Sequence, residues 1–126
     1  MLADAEGSLA ICASAGSGQV PPQALDGRAD PEAAFRRMDD LIDRLPRTGS
    51  HSVEGRGPGN ETTWRALADR GFYVYDWRLW NGPYERILRP DRELRVEALG
   101  AEERRVLVTC NLRFRETASF RLADLP

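Results

Sequence analysis

A chain of 126 residues can bury a core without disulfides or metals, and one domain is the default at that size. Its 41% apolar and 30% charged content is polar for a globular chain, and its formal net charge of −2 argues against bulk attraction to nucleic acid or anionic membrane. All eighteen basic residues are arginine, which excludes a lysine Schiff base, a lysine general base and a phosphate-loop lysine, and points to a GC-rich bacterial genome.

The charge is uneven: residues 1–46 hold four Arg against eight acids, and residues 47–126 hold fourteen against twelve. Cys12 and Cys110 are too few and too far apart for a disulfide framework, and with His51 as the single histidine no metal site is expected. No other cofactor is expected either. No apolar run approaches a membrane span, and the acidic start MLADAEG lacks the positive region of a signal peptide. These features predict a cytoplasmic protein without membrane contact.

Residues 1–29 are rich in Ala, Gly, Ser and Pro, a composition that cannot offset its ordering entropy by burial. They are expected to be a flexible segment ahead of a single domain over 30–126, with SLAICA available as one short edge strand. ASAGSGQV, Ala13–Val20, resembles a phosphate-binding loop but has Ala13, Gln19 and Val20 where Gly, Lys and Ser/Thr belong. Pro21 and Pro22 follow where the helix should start, so no nucleotide site is expected.

DPEAAFRRMDDLIDRLPR predicts a helix over 30–45. Asp30 caps it, Pro31 suits the first helical position and Pro46 ends it. Phe35, Met38, Leu41, Ile42 and Leu45 form one apolar stripe, which must lie on another element, and a sheet face is the expected partner. A glycine-rich loop carrying His51 follows, with no carboxylate or nucleophile evident to orient the imidazole. NETTWRALADRG then predicts a short helix capped by Asn60 and ended by Gly71, with Trp64, Leu67 and Ala68 as its apolar side.

From Phe72 the apolar period becomes two. FYVYDWRLW and YERILR flank Asn81-Gly82, a strong hairpin signal. A turn there pairs Arg78 with Glu85, Trp77 with Arg86 and Tyr75 with Leu88. Tyr73, Tyr75, Trp77, Leu79, Tyr84 and Leu88 then share one face, expected to lie under the Phe35–Leu45 stripe. ELRVEAL, RVLVTCNLRF and TASFRL alternate as further strands, although Arg105–Leu122 also reads as one bent strand with a bulge.

The fold class that results is α+β: two helices in the N-terminal half, packed on one face of a C-terminal antiparallel sheet of four to five strands. This order, helices first and then a closing antiparallel sheet, resembles the cone-shaped nuclear-transport-factor-2-like domains. The strand those domains place between their early helices is not evident. The resemblance implies a curved sheet around a pocket and no particular activity.

Two surfaces stand out as sites. Tyr73, Tyr75, Trp77 and Tyr84 would line a pocket for a small ligand, with Asp76 among them as the one acid whose setting could raise its pKa toward general-base work. The plain alternative is that the aromatics are core and that Asp76 points outward near Arg78 or Arg89. Arg95, Arg113, Arg115 and Arg121 would gather on the opposite face of the later strands and bind an acidic partner, unless ion pairs to Glu93, Glu97 and Glu116 neutralise them.

No catalytic set emerges. The functional expectation is a non-catalytic binding or adaptor protein that engages another protein. The alternative is a pocket-type small-ligand binder or enzyme. RNA binding is disfavoured because the aromatic and arginine sets alternate onto opposite faces.

Overall fold

Residues 2–13 form a hairpin of β1, Leu2–Ala3, and β2, Leu9–Ala13. Asp4 shapes its turn: one carboxylate oxygen accepts the amides of Glu6 at 3.0 Å and Ser8 at 2.8 Å. Gly7 completes the turn at φ +83°, a conformation that side chains disfavour. In this computed structural model, residues 1–13, 31–77 and 82–125 are described.

The hairpin lies inside the sheet. β2 pairs in parallel with β4, Tyr73–Trp77, and β1 pairs in parallel with β6, Val108–Thr109. β4 pairs antiparallel with β5, Tyr84–Pro90. The far flank of β5 carries β3, His51–Val53, along one half and β7, Ser119–Phe120, along the other. Among the described residues this makes a seven-stranded mixed sheet.

The parallel pairing of β2 with β4 requires a long crossover. That crossover contains α1, Pro31–Arg44, and α2, Thr62–Ala68. Glu61 caps α2 by accepting the Thr63 amide at 2.9 Å. Arg70 joins the two helices: its Nε donates to the carbonyls of Ile42 at 2.8 Å and Leu45 at 3.1 Å, and its Nη1 to that of Ala66 at 2.8 Å. The cation thus satisfies orphan carbonyls at the negative end of α1. A third helix, α3, Ala101–Arg104, is tied to α1 by an Arg44–Glu103 ion pair of 2.6 Å.

Two cores flank the sheet. Val74, Ile87 and Leu88 meet Leu41 of α1, Leu67 and Ala68 of α2, Phe72 and Leu99 on the helix face. Tyr73, Tyr75 and Tyr84 meet Val108, Phe114, Phe120 and Leu125 on the other face. The molecule is therefore three layers: helices, sheet, and an irregular C-terminal segment.

Several expectations change. The sheet is mixed, is built from both ends of the chain and has seven strands among the described residues, whereas a C-terminal antiparallel sheet of four to five was expected. Residues 1–13 are ordered into its interior, with Leu9 and Ala10 fully buried; residues 14–30 of the expected flexible segment, including the phosphate-loop-like stretch, lie outside those described. The aromatic row faces the C-terminal segment and not α1, whose Leu41 belongs to the opposite core. Asp30, Phe35 and Met38 lie outside the described residues and side chains.

The hairpin register is two residues from the expected one. Trp77 opposes Tyr84 and Tyr75 opposes Arg86, after which Val74 opposes Leu88. Ile87 is the extra residue of a bulge, so Ile87 and Leu88 both reach the helix face while Arg86 stays on the aromatic face. The expected turn residue Asn81 lies outside the described residues. ELRVEAL is no strand: Val96–Ala98 is a 3-10 turn, and Ser8–Arg95 is an isolated bridge. Of RVLVTCNLRF and TASFRL, only Val108–Thr109 and Ser119–Phe120 pair.

Candidate functional site

The segment after β5 is held from two sides. The Leu94 amide donates to the Gly71 carbonyl at 2.8 Å, and the Leu94 carbonyl accepts from Leu9 at 3.2 Å. Gly71 sits at φ +103°, and a Cβ there would lie 2.5 Å from the Leu94 nitrogen, so a glycine is required. This pinning sets the neighbouring Glu93 side chain over the edge of the aromatic face.

Glu93 is a hub. One carboxylate oxygen accepts the Tyr73 hydroxyl at 2.6 Å and Arg115 Nε and Nη2 at 3.1 and 3.0 Å. The other accepts Ser8 Oγ at 3.0 Å and Arg95 Nη1 at 3.3 Å. Burial pushes the Glu93 carboxyl up, but the hydrogen bonds from Tyr73, Arg115 and Ser8 outweigh it and hold the group below the usual carboxylate range. The same contacts act on the partners. Burial, then the bond to Glu93, pushes the Tyr73 phenol up to about 12, and the bonds from Arg115 to Glu93 raise the Arg115 pKa.

Arg86 is a second hub, almost fully buried on the aromatic face. Its Nε and Nη2 donate to the two oxygens of Glu54 at 2.5 and 3.2 Å, a bidentate pair. Its Nη1 donates to the carbonyls of Phe114 and Arg115. The guanidinium also lies 5.7 Å from the Tyr73 ring centre. Arg86 thus clips the C-terminal segment to β5 and to the loop after β3. Asp4 holds the same segment from the other end, accepting the Phe114 amide at 2.7 Å.

Above these hubs lies a polar cleft of about 360 Å³, lined by Ser52, Glu54, Arg89, Pro90, Asp91, Glu93 and Arg115. Ser52 and Arg89 are direct partners across β3 and β5 and share the aromatic face. Glu54, Glu93 and Arg115 are committed to the ion pairs above, and Asp91 accepts the Ser50 hydroxyl. The Arg89 side chain makes no hydrogen bond or ion pair among the described residues. Its charge still reaches the Tyr73 hydroxyl, whose pKa it lowers against the larger effects of burial and Glu93.

The candidate residues read from the sequence fall into separate places. Tyr73 and Tyr75 are fully buried, packed on Phe114 with ring centres 5.9 and 5.7 Å away. Tyr75 donates its hydroxyl to the Thr117 carbonyl at 2.6 Å. Tyr84 stacks on Phe120 at 5.4 Å and meets Trp77 at 5.8 Å. These four residues pack against the C-terminal segment, and none lines the cleft. Asp76 points to the opposite face and pairs with Arg56.

Arg95 and Arg115 do converge, but on Glu93. Arg113 pairs with Glu6 at 3.6 Å and Glu116 at 3.8 Å. Arg121 is exposed at the start of a closing 3-10 turn. They sit on irregular segments, which breaks the shared sheet face that alternation implied.

His51 is oriented, contrary to the sequence reading. Its Nδ1 donates to Asp69 Oδ1 at 2.7 Å, and Arg65 Nη1 approaches its Nε2 at 3.4 Å. The Asp69 carbonyl also accepts the amides of Thr48 and Gly49, so Asp69 moors the entry to β3 on the end of α2. The imidazole spends both nitrogens on protein partners.

Among the described residues no three His, Cys, Asp or Glu side chains converge to hold a metal ion. Nor is any described helix long and apolar enough to cross a membrane. Neither a protein-family profile, a curated protein nor a solved structure matches this chain.

Proposed function

We propose that this chain is a small non-catalytic binding protein whose partner is another protein, received at the cleft between β3, the end of β5 and the Arg115 turn. One observation carries the reading: Arg89 lines that cleft without a hydrogen bond or ion pair among the described residues, while the other charged groups lining it each have an internal partner. A charge held half-buried without a partner loses hydration without compensation, and an incoming group can supply it. The place of His51 supports the non-catalytic part, since its imidazole is held between Asp69 and Arg65 and is not among the residues lining the cleft.

A second reading, a binder of a small polar molecule, is favoured by the cleft volume of about 360 Å³, which falls within the range of small-molecule sites. Both readings place the contact at the same residues. Ser52→Trp at this exposed position fills the cleft without disturbing the core. A partner captured by the wild-type chain from a lysate of its source organism should be lost with Ser52→Trp. Equal capture by the two proteins would refute the cleft as the binding surface.

A further inference from the structure

We infer that the cleft recognises an oxyanion, a carboxylate or phosphate group, held by the Arg89 fork together with the Ser52 hydroxyl and Arg115 Nη1. This rests on the cleft being the binding surface and adds the chemistry of what it receives.

The charges define the class of ligand. Four guanidiniums, of Arg86, Arg89, Arg95 and Arg115, meet three carboxylates, of Glu54, Asp91 and Glu93, in the cleft and its immediate ion pairs. Arg86 is spent on Glu54, and Arg95 and Arg115 share Glu93, so the one excess positive charge lies on the cluster around Glu93, and Arg89 is the guanidinium that has no carboxylate bonded to it among the described residues. Its planar fork matches the geometry of a carboxylate or phosphate and binds either through two parallel hydrogen bonds.

The donors left over stand together. Ser52 faces Arg89 directly in the β3–β5 register, and its hydroxyl has no partner among the described residues. Arg115 uses Nε and Nη2 on Glu93 and lies against the Tyr73 hydroxyl, which fixes the plane of its guanidinium, and among the described residues neither hydrogen bond to Glu93 involves Nη1. Glu93 therefore acts as a positioning residue for Arg115. Donors held in place before the ligand arrives cost little to order on binding.

The carboxylates of the lining refine the class further. Among the described residues Asp91 keeps one oxygen without a donor, and Glu54 gives each oxygen only one bond to Arg86. A bare polyanion would be repelled by them. The fitting ligand carries one oxyanion beside an N–H or O–H donor, as does an acidic side chain within a peptide or a small hydroxy or amino acid.

The test is a titration of the isotope-labelled chain, followed by amide NMR, with inorganic phosphate, with acetate and with a blocked tripeptide containing a central aspartate. Saturable shifts centred on Ser52, Arg89 and Arg115 are expected with at least one probe. The tripeptide binding more tightly than the free anions identifies a protein source; free anions binding as tightly identify a small-molecule source. Arg89→Gln should weaken binding about tenfold, and Arg92→Gln, at an exposed arginine outside the lining, should leave it unchanged.

Ser52→Ala carries the same test should Arg89→Gln fail to fold, with about a threefold loss expected. No saturable shift with any probe, or unchanged affinity in the variant that folds, would overturn the assignment. Were Ser52→Trp to abolish partner capture while no probe shifted the cleft, the oxyanion would be refuted and the cleft reading would stand.

Discussion

Glu93 accepts the phenolic hydroxyl of Tyr73 at 2.6 Å, so the polar end of the aromatic core finishes on a carboxylate at the wall of the cleft. The contact joins the two halves of the molecule's chemistry. The tyrosine keeps a buried hydroxyl satisfied, and the carboxylate that satisfies it also aims Arg115. Replacing Glu93 by Gln removes the charge that four side chains share. The expected loss is about 2 kcal/mol at neutral pH by urea denaturation.

That loss should depend on pH in a defined direction. The folded-state pKa of Glu93 lies below its unfolded value, so the unfolded chain binds this proton more tightly. Its contribution is fully present above the ordinary glutamate value, near pH 4.3, and is lost as pH falls through the folded pKa. The stability gap between wild type and Glu93→Gln should therefore be flat from about pH 7 to 5 and narrow below about pH 4. A gap that widened in acid would contradict the network.

At the alkaline end the three tyrosines of the chain act together. Burial pushes Tyr73 and Tyr84 up to about 12 and raises Tyr75 as well. An unfolded chain ionises tyrosine near pH 10. The stability these groups contribute is present below that value and is lost as pH rises toward the folded values. Absorbance at 295 nm should show no tyrosinate near pH 10, then one step as the chain unfolds. A tyrosine titrating reversibly near pH 10 with the fold intact would place it outside the core.

Arg86 should prove the costliest polar residue to remove. Arg86→Met leaves Glu54 without its bidentate partner and takes the guanidinium donor from the carbonyls of Phe114 and Arg115. A loss of about 3 kcal/mol is expected, because breaking a buried pair strands its other half. Arg86→Lys should recover little, since an ammonium cannot reproduce the fork. A loss below about 1 kcal/mol for Arg86→Met would mean that the clip is not structural.

Which layer covers the aromatic row is open to a direct comparison. Phe120→Ala removes a ring stacked 5.4 Å from Tyr84 and set edge-on 5.1 Å from Tyr75. Leu41→Ala opens a cavity in the opposite core. Both should cost about 3 kcal/mol. Only Phe120→Ala should shift the ring resonances of Tyr75 and Tyr84; the same shifts from Leu41→Ala would place α1 against the aromatic face.

The two helices were legible because periodicity and breakers agree locally: Pro31 and Gly71 mark real ends, and Leu41, Leu67 and Ala68 are buried as their spacing implies, although Glu61 and not the expected Asn60 caps α2. The β4–β5 pair was legible as an antiparallel pair but not in register, because the bulge at Ile87 leaves no mark in an alternating pattern. Of the N-terminal strands, SLAICA was read only as an available edge strand, and β1 and the interior place of the hairpin were missed through composition. Two apolar runs around an Asp-x-x-Gly turn are a hairpin signal, outweighed by the Ala- and Gly-rich stretch beside them.

The cleft was harder still. Arg115 lies far along the chain from Ser52 and Arg89, and what distinguishes Arg89 is that its side chain has no partner among the described residues. Arg115 was singled out from the sequence as a partner-binding residue, but for a sheet face that does not exist. The Asp69 carboxylate that orients His51 lies eighteen residues further along, and only the fold brings the two together.

The central claim is that the binding surface is the cleft beside Arg89, and a photoreactive crosslinker tests it most directly. With benzoylphenylalanine at position 52, irradiation in a lysate of the source organism should trap one discrete partner or ligand, and Arg89→Gln should remove that product. The same probe at Arg105, exposed beyond α3, should trap none. A product that appears from Arg105 and not from Ser52, or one that survives Arg89→Gln undiminished, would contradict the account.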